Sequence, residues 1–248
     1  MSNSVEMPII GYMHSPYREK FGIPRQPNLV QVESYIEMVA PYNDILAFEG
    51  IEAFSHLWLL WQFHQNKQND NAPNQMARFR AQVRPPRLGG NQKMGVFATR
   101  SMYRPSAIGL SVVQFLRLEK QGKSVRLYVM GGDLLHGTPI LDIKPYIQYS
   151  DAVPDASSGY AQDEPVRKSV IWTETAQTQQ QQLLKQAILN KKVFDELEQV
   201  LSLDPRPAYQ EDAERVYGMC FADLNLRFKI DESNVTVIAV EQLTKYKS

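Results

Sequence analysis

Residues 83–109, VRPPRLGGNQKMGVFATRSMYRPSAIG, hold the side chains best suited to chemistry. The wider segment 71–118 contains no Asp or Glu, yet carries Arg78, Arg80, Arg84, Arg87, Lys93, Arg100, Arg104 and Arg117. The whole chain balances 27 basic against 27 acidic residues, so the net positive excess is gathered in this block and the rest is net negative. Such a block binds anions, and its arginines suit carboxylates and phosphates, which they grip through two parallel N–H donors. Its Gly and Pro residues make it loop-rich and leave backbone N–H groups free for a ligand. Two further loops combine Pro, flexible or polar positions and charge: PRQP at 24–27 and GGDLLHGTPILDIKPY at 131–146. Each taken singly reads better as an ordered turn of a β protein; three together suggest convergence on one site.

Other chemistries find little support. No GxGxxG joins a strand to a helix, and no Walker loop, HExxH or GxSxG occurs. His14, His56, His64 and His136 form no i, i+4 pair, so no metal site is expected. Cys220 is the single cysteine, which excludes an internal disulfide framework and a Cys-based zinc site. The start, MSNSVEMPIIGYMHS, has neither the basic region nor the apolar run of a signal peptide. No apolar run reaches the roughly 20 residues of a membrane helix. A cytoplasmic protein without a membrane span is expected.

The elements that must position these loops read as follows. The hydrophobic fraction of 43% suffices for a sizeable core, in one large domain or two smaller ones. Residues 8–13 suggest a strand, followed by a proline-interrupted loop with Arg18, Lys20 and Arg25. Residues 30–39 favour a strand, and 54–64, FSHLWLLWQFH, fit either a strand buried on both faces or a short core helix. His64 ends that segment, and a polar, turn-rich loop, 65–75, follows. Residues 94–101, 110–119 and 125–130 read as further strands. Short strands punctuated by Gly and Pro predict an all-β sandwich or barrel. Small, polar and acidic residues, 150–165, mark a boundary. Beyond it come a strand at 170–173, a single helix over 175–203 stopped by Asp204-Pro205, and a hairpin from 224–230 and 235–240. The division expected is 1–160 and 161–248, the latter a small α+β domain.

Several long blocks carry a resemblance: HSPYREKFGIPRQPNLV, EAFSHLWLLWQFH, VRPPRLGGNQKMGVFATRS, RPSAIG, GTPILDIKPY and DPRPAY at 204–209. Together they resemble the TsaA-like family, also called TrmO. The resemblance implies a mainly β fold: an N-terminal β-barrel that binds S-adenosylmethionine without a Rossmann fold, and a small C-terminal α+β domain. It implies a homodimer that methylates tRNA at N6 of t6A, N6-threonylcarbamoyladenosine, at position 37 beside the anticodon, giving m6t6A. Carried over by motif, the cofactor residues are Pro24, Arg25, Gln26, His64, Gln65, Arg100, Leu110, Gly131, Gly132 and Asp133. Two positions depart from the family's pattern: RPNPIG is RPSAIG here, and DGTP is HGTP.

The expected reaction is in-line attack of N6 on a sulfonium methyl, where alignment supplies much of the catalysis. A base or a water takes the N6 proton; Asp133, His136 and Tyr103 are the candidates. Arg84, Arg87, Lys93 and Arg104 are expected to hold the threonyl carboxylate or the phosphates of the anticodon loop. Tyr17, Phe21 or Tyr103 are available to stack on its bases. Two alternatives remain: a non-catalytic RNA-binding β-barrel, and a small-molecule methyltransferase.

Overall fold

The structure, a computed structural model, describes residues 5–65, 79–207, 210 and 212–243. Most of the polar loop expected at 65–75, together with Arg78 and Tyr209, lies outside the described residues. The chain packs as two compact units. One comprises residues Met1–His14, Glu33–Gly132 and Gly137–Gln162; the other comprises Ser15–Val32, Asp133–His136 and Asp163–Ser248.

The first unit is a closed antiparallel barrel. Its strands are β1 (Gly11–His14), β2 (Glu33–Met38), β3 (His56–Gln62), β6 (Ile108–Gln121), β7 (Ser124–Met130) and β8 (Pro139–Pro145), in the order β1-β2-β7-β6-β3-β8. Alternation makes it. In β3, Leu57, Leu59 and Trp61 are buried while His56, Trp58 and Leu60 are only partly so. The segment is therefore a strand with one core face, rather than one buried on both faces or a helix. Val125, Leu127 and Val129 of β7 and Val113 of β6 supply further inward positions. Closing the sheet leaves no exposed edge.

Two strands needed special residues. Gly109 of β6 pairs with Trp61 of β3, and a Cβ there would stand 2.3 Å from the indole ring. Glycine thus lets the indole lie flat on the strand, and Trp61 Nε1 donates to Ser111 Oγ at 3.0 Å. Between β6 and β7 the chain turns at Gly122, in the left-handed region at φ +61.

Residues 94–101 do not form the expected strand. Gln82–Val83 (β4) pairs with Met94–Gly95 (β5) in a two-residue hairpin, and Val96–Ala98 is a 3-10 turn. Buried Val96 anchors that turn, and Thr99 Oγ1 donates back to Val96 O at 2.8 Å. The run is too short, and too interrupted by local side-chain bonds, to extend a ladder.

The second unit is a four-stranded sheet, in the order β10 (Tyr217–Phe221), β11 (Leu224–Ile230), β12 (Asn234–Gln242), β9 (Ser169–Trp172), with β9 parallel to β12. After a one-turn helix, α1 (Gln148–Asp151), in the barrel unit, two longer ones follow here: α2 (Glu174–Lys185) and α3 (Lys191–Ser202). The sequence predicts one helix over 175–203; the structure breaks it. Ala187 turns left-handed at φ +54, and Asn190 Oδ1 accepts from Val193 N at 3.2 Å as an N-cap. Phe194, Leu197, Val200 and Leu201 of α3 pack with Leu224, Leu226, Phe228, Val235 and Val237 of the sheet.

Tyr17, Val30 and Val32 belong to that same core. The segment Ser15–Val32 is an ordered extension of the second unit. Tyr17 bridges Phe221, Ala222 N donates to Pro16 O at 2.7 Å, and Cys220 N donates to Glu19 Oε1 at 2.7 Å.

Candidate functional site

Antiparallel alternation brings six strand termini to one end of the barrel: His14, Glu33, Gln62, Ile108, Met130 and Pro139. The connections that join strands at this end are 15–32, 63–107 and 131–138. They hold the three loops singled out above. The other end carries the 39–55 connection and the Gly122 turn. Barrel topology thus fixes which strand ends these connections leave, which no local pattern could reveal.

In the barrel unit, the base of the 63–107 connection is pinched where Phe63 N donates to Ala107 O at 2.9 Å. His64 and Gln65, just beyond, are exposed. Leu110 is an apolar side chain half exposed on β6. Arg100 is exposed, and Gly131 and Gly132 are buried where β7 ends. Gly131 has φ +82, a backbone open to glycine at little cost. A guanidinium, an apolar side chain, a His-Gln pair and a bare backbone match the groups of S-adenosylmethionine: a carboxylate, an adenine and a ribose. On this chemistry the residues present fit the cofactor.

The basic block is open to solvent but not uniform. Arg84, Arg87, Lys93 and Arg100 are exposed. Arg104 is half-buried and donates to Thr99 O at 2.7 Å and Val96 O at 3.4 Å, so it ties the 3-10 turn. Arg117, on β6, is engaged with Glu33 at 2.9 Å and Glu119 at 2.7 Å, and stacks 3.6 Å from the Tyr128 ring centre. A hydrogen bond to Glu119 holds its guanidinium above the ordinary arginine range. It is part of the barrel wall.

In the second unit, Pro24 is buried, Gln26 half-buried and Arg25 exposed, with Arg25 Nη2 donating to Arg206 O at 3.5 Å. Asp133 and His136 share a short segment: Ser15 Oγ donates to Leu134 O at 2.7 Å and His136 N donates to Tyr17 O at 2.9 Å. Burial, with Asp133 and Glu196 adding to it, pushes the Tyr17 phenol well above the usual tyrosine range. The DPRP of the C-terminal block is a clamp. Arg206 Nε meets Asp204 Oδ2 at 3.1 Å and its Nη1 donates to Ile230 O at 3.3 Å.

Two expectations fail. Tyr17 is 2% exposed and closed to RNA, and Phe21, partly buried, packs against Tyr217 and Phe228 at ring-centre distances of 6.2 and 6.3 Å, as part of the second unit's core rather than a free ring. A tyrosine or phenylalanine flanked by Arg and Lys reads alike whether it faces solvent or a core. Sequence reasoning also passed over Phe79 and Phe97, which are 46% and 69% exposed in the barrel unit. Their place in a segment without acidic residues was the available signal.

Comparison with known proteins decides the family. Residues 12–152 match the domain described as the tRNA-methyltransferase O N-terminal domain, and residues 165–243 match the TrmO C-terminal domain. The chain belongs to the TrmO family. It is 41% identical over 243 residues to the tRNA (adenine(37)-N6)-methyltransferase of Escherichia coli K12, covering 96% of this chain and 99% of that one. It is 44% identical over 221 residues to the putative S-adenosylmethionine-dependent methyltransferase RcsF of Pseudomonas aeruginosa, covering 88% and 90%. A crystal structure of TrmO from Pseudomonas aeruginosa aligns with a TM-score of 0.75 at 35% identity, over 96% of this chain and 98% of that one. Within the TrmO pattern, Ala107 is informative. It has φ +47 and donates its N–H to Arg104 O at 3.1 Å. A proline at this position could do neither.

Proposed function

We propose that this tRNA (adenine37-N6)-methyltransferase acts on t6A at position 37 and converts it to m6t6A with S-adenosylmethionine as methyl donor. One observation carries the reading: in the barrel unit, the connection between β3 and β6 exposes Arg84, Arg87, Lys93 and Arg100, in a region that matches the tRNA-methyltransferase O N-terminal domain. A threonylcarbamoyl group adds a carboxylate to the base, and exposed Arg84, Arg87 and Lys93 are the side chains to meet it or the flanking phosphates.

Bound S-adenosylmethionine supplies a methyl group on a cationic sulfonium, already activated for displacement. Arg100 pairs with a carboxylate, Leu110 offers an apolar surface, His64 and Gln65 offer polar atoms, and Gly131 and Gly132 allow close backbone approach. Pro24, Arg25, Gln26 and Asp133 are assigned to the cofactor from the motifs in which they stand. The N6 proton leaves to Asp133, His136, Tyr103 or a water; the ureido nitrogen of t6A makes it more acidic than in a plain amine. The protein acts as a cytoplasmic homodimer in this reading, checked by its mass in solution.

The test is mass spectrometry of nucleosides from tRNA incubated with the full chain and S-adenosylmethionine. Conversion of t6A to m6t6A is expected; methylation of unmodified adenosine 37 with t6A untouched overturns the substrate. Calorimetry showing no cofactor binding would return the chain to a plain RNA-binding barrel. Arg84→Ala with Arg87→Ala is expected to weaken tRNA binding and to flatten its log–log salt dependence by about 1.4, the release expected for two single-strand phosphate contacts. Unchanged affinity at every salt concentration removes the block from the RNA contact.

A further inference from the structure

The barrel unit exposes an aromatic and arginine cluster that the cofactor and the phosphate contacts do not use. Phe79 and Phe97 lie with ring centres 6.3 Å apart, inclined by 32°. Arg80 sits 4.4 Å from the Tyr103 ring centre, and Arg104 sits 5.6 Å from that of Phe97. Tyr103 is 43% exposed, so three large rings face solvent together. Exposed apolar groups of this size gathered in one place mark an interaction surface.

The rings are held ready. Phe97 is in the 3-10 turn whose buried Val96 and Thr99 fix the backbone. Arg104 is fastened by its two carbonyl contacts, so the cation beside Phe97 needs little ordering on binding. Tyr103 N donates to Ser101 Oγ at 3.2 Å, which sets the start of the next turn. The segment 71–118 contributes no carboxylate to repel an anion. Rigid π faces with guanidinium groups over them, on a segment with no carboxylate, suit a polyanion that has flat aromatic faces of its own. A lipid surface needs no such rings, and an apolar protein partner needs no such charge. Single-stranded RNA has both features.

We propose that Phe79, Phe97 and Tyr103, braced by Arg80 and Arg104, form a platform on which unpaired bases of the tRNA anticodon loop stack. This rests on tRNA being the substrate, and it adds how the loop is gripped. Phosphate contacts by Arg84, Arg87 and Lys93 give salt-dependent affinity; the platform gives a contact that only unstacked bases can satisfy. It therefore favours a splayed loop over a duplex.

The test uses the full chain and an anticodon stem-loop RNA with 2-aminopurine at single loop positions. Phe97→Ala is expected to weaken binding roughly tenfold, the usual loss for one base stack, and to remove the fluorescence quench at one position. Its salt dependence stays parallel to that of the parent, unlike that of the Arg84 and Arg87 variant, and its heat of S-adenosylmethionine binding is unchanged. Phe97→Leu keeps apolar area but no π face and is expected to lose the quench as well; Phe97→Trp is expected to restore it. Parent-level affinity and quench in Phe97→Ala combined with Phe79→Ala overturn the platform. So does a Phe97→Ala chain whose mass in solution falls, which would make the cluster a contact between copies. A parent chain that binds the stem-loop through Phe97 yet methylates nothing would sink the enzymatic reading and leave the platform standing.

Discussion

Two long connections leave the same end of the barrel and are made of similar residues, yet they do different work. Ser15–Val32 carries Tyr17, Phe21, Arg18, Lys20 and Arg25; residues 63–107 carry Phe79, Phe97, Tyr103 and most of the basic block. In the first, the aromatics are core: Tyr17 meets Phe221 edge-on at 5.9 Å, and Phe21 stacks on Tyr217. Its Arg18 donates to Ala222 O at 3.1 Å. In the second, the rings face solvent and the arginines lie over them. What separates the two is the company the backbone keeps. Residues 16–19 of the first connection complete the edge of β10, so its side chains are carried into an apolar layer. The described part of the second is pinched at its base by Phe63 and Ala107 and bonds to itself through Thr99, Ser101 and Arg104.

The sharpest way to break this comparison is to truncate one ring from each. Tyr17→Ala removes a side chain buried against Phe221 and is expected to cost about 3–5 kcal/mol in urea unfolding, as for other large aromatics lost from a core. Phe97→Ala, at a position 69% exposed, is expected to stay within about 0.5 kcal/mol. Equal losses would mean that both loops are core.

This contrast was largely hidden in the sequence. The barrel was legible because Leu57, Leu59 and Trp61, or Val125, Leu127 and Val129, alternate. The C-terminal hairpin was legible for the same reason, with Leu224, Leu226, Phe228 and Ile230. Most of the candidate residues stand in loops, with Leu110 on β6. Which loop packs where was not legible, because Ser15–Val32 has no period to say that Tyr17 and Phe21 point inwards. The break between α2 and α3 lacked Gly or Pro; its signal was Asn190, a capping residue ahead of the Lys191–Ser202 face. Which strand ends the three connections leave follows from strand order, which is a long-range property.

The base of the second connection gives a smaller test. Gly109→Ala would set a methyl 2.3 Å from the Trp61 ring, which cannot give way without displacing the Nε1 bond to Ser111. A loss of about 1–3 kcal/mol is expected, the range for overpacking a fixed neighbour. A neutral result would mean that the indole is free to move, and that the 63–107 connection starts from a softer base than its contacts indicate.

Titration adds a test particular to the first connection. The Tyr17 hydroxyl is buried without a hydrogen-bond partner among the described residues, and burial holds its proton on beyond the ordinary range. A raised pKa in the folded state contributes stability that is complete below the unfolded value near 10 and declines as pH rises towards the folded one. Tyr17→Phe should therefore flatten the alkaline limb of the stability curve. At neutral pH it should be neutral or slightly stabilising, because it removes an unsatisfied polar atom. An alkaline limb identical to that of the parent would place Tyr17 in contact with water.

The smallest effect separates the loops by backbone alone. Among the described residues, each holds one non-glycine residue in the left-handed region: Asn28 at φ +63 in the first and Ala107 at φ +47 in the second. Asparagine tolerates this region because its short polar side chain can bond locally; alanine pays about 1 kcal/mol for its Cβ. Replacing Ala107 by glycine relieves that strain but loosens the unfolded chain, so a net gain of roughly 0.5 kcal/mol is expected. Asn28→Gly should gain nothing. If the two substitutions shift the urea midpoint equally, the Ala107 turn carries no more strain than the Asn28 turn. If only Ala107→Gly stabilises, the strain sits where Phe63 and Arg104 hold the turn between the basic segment and β6, and tRNA binding by that variant then reports whether the strained turn serves the loop's function.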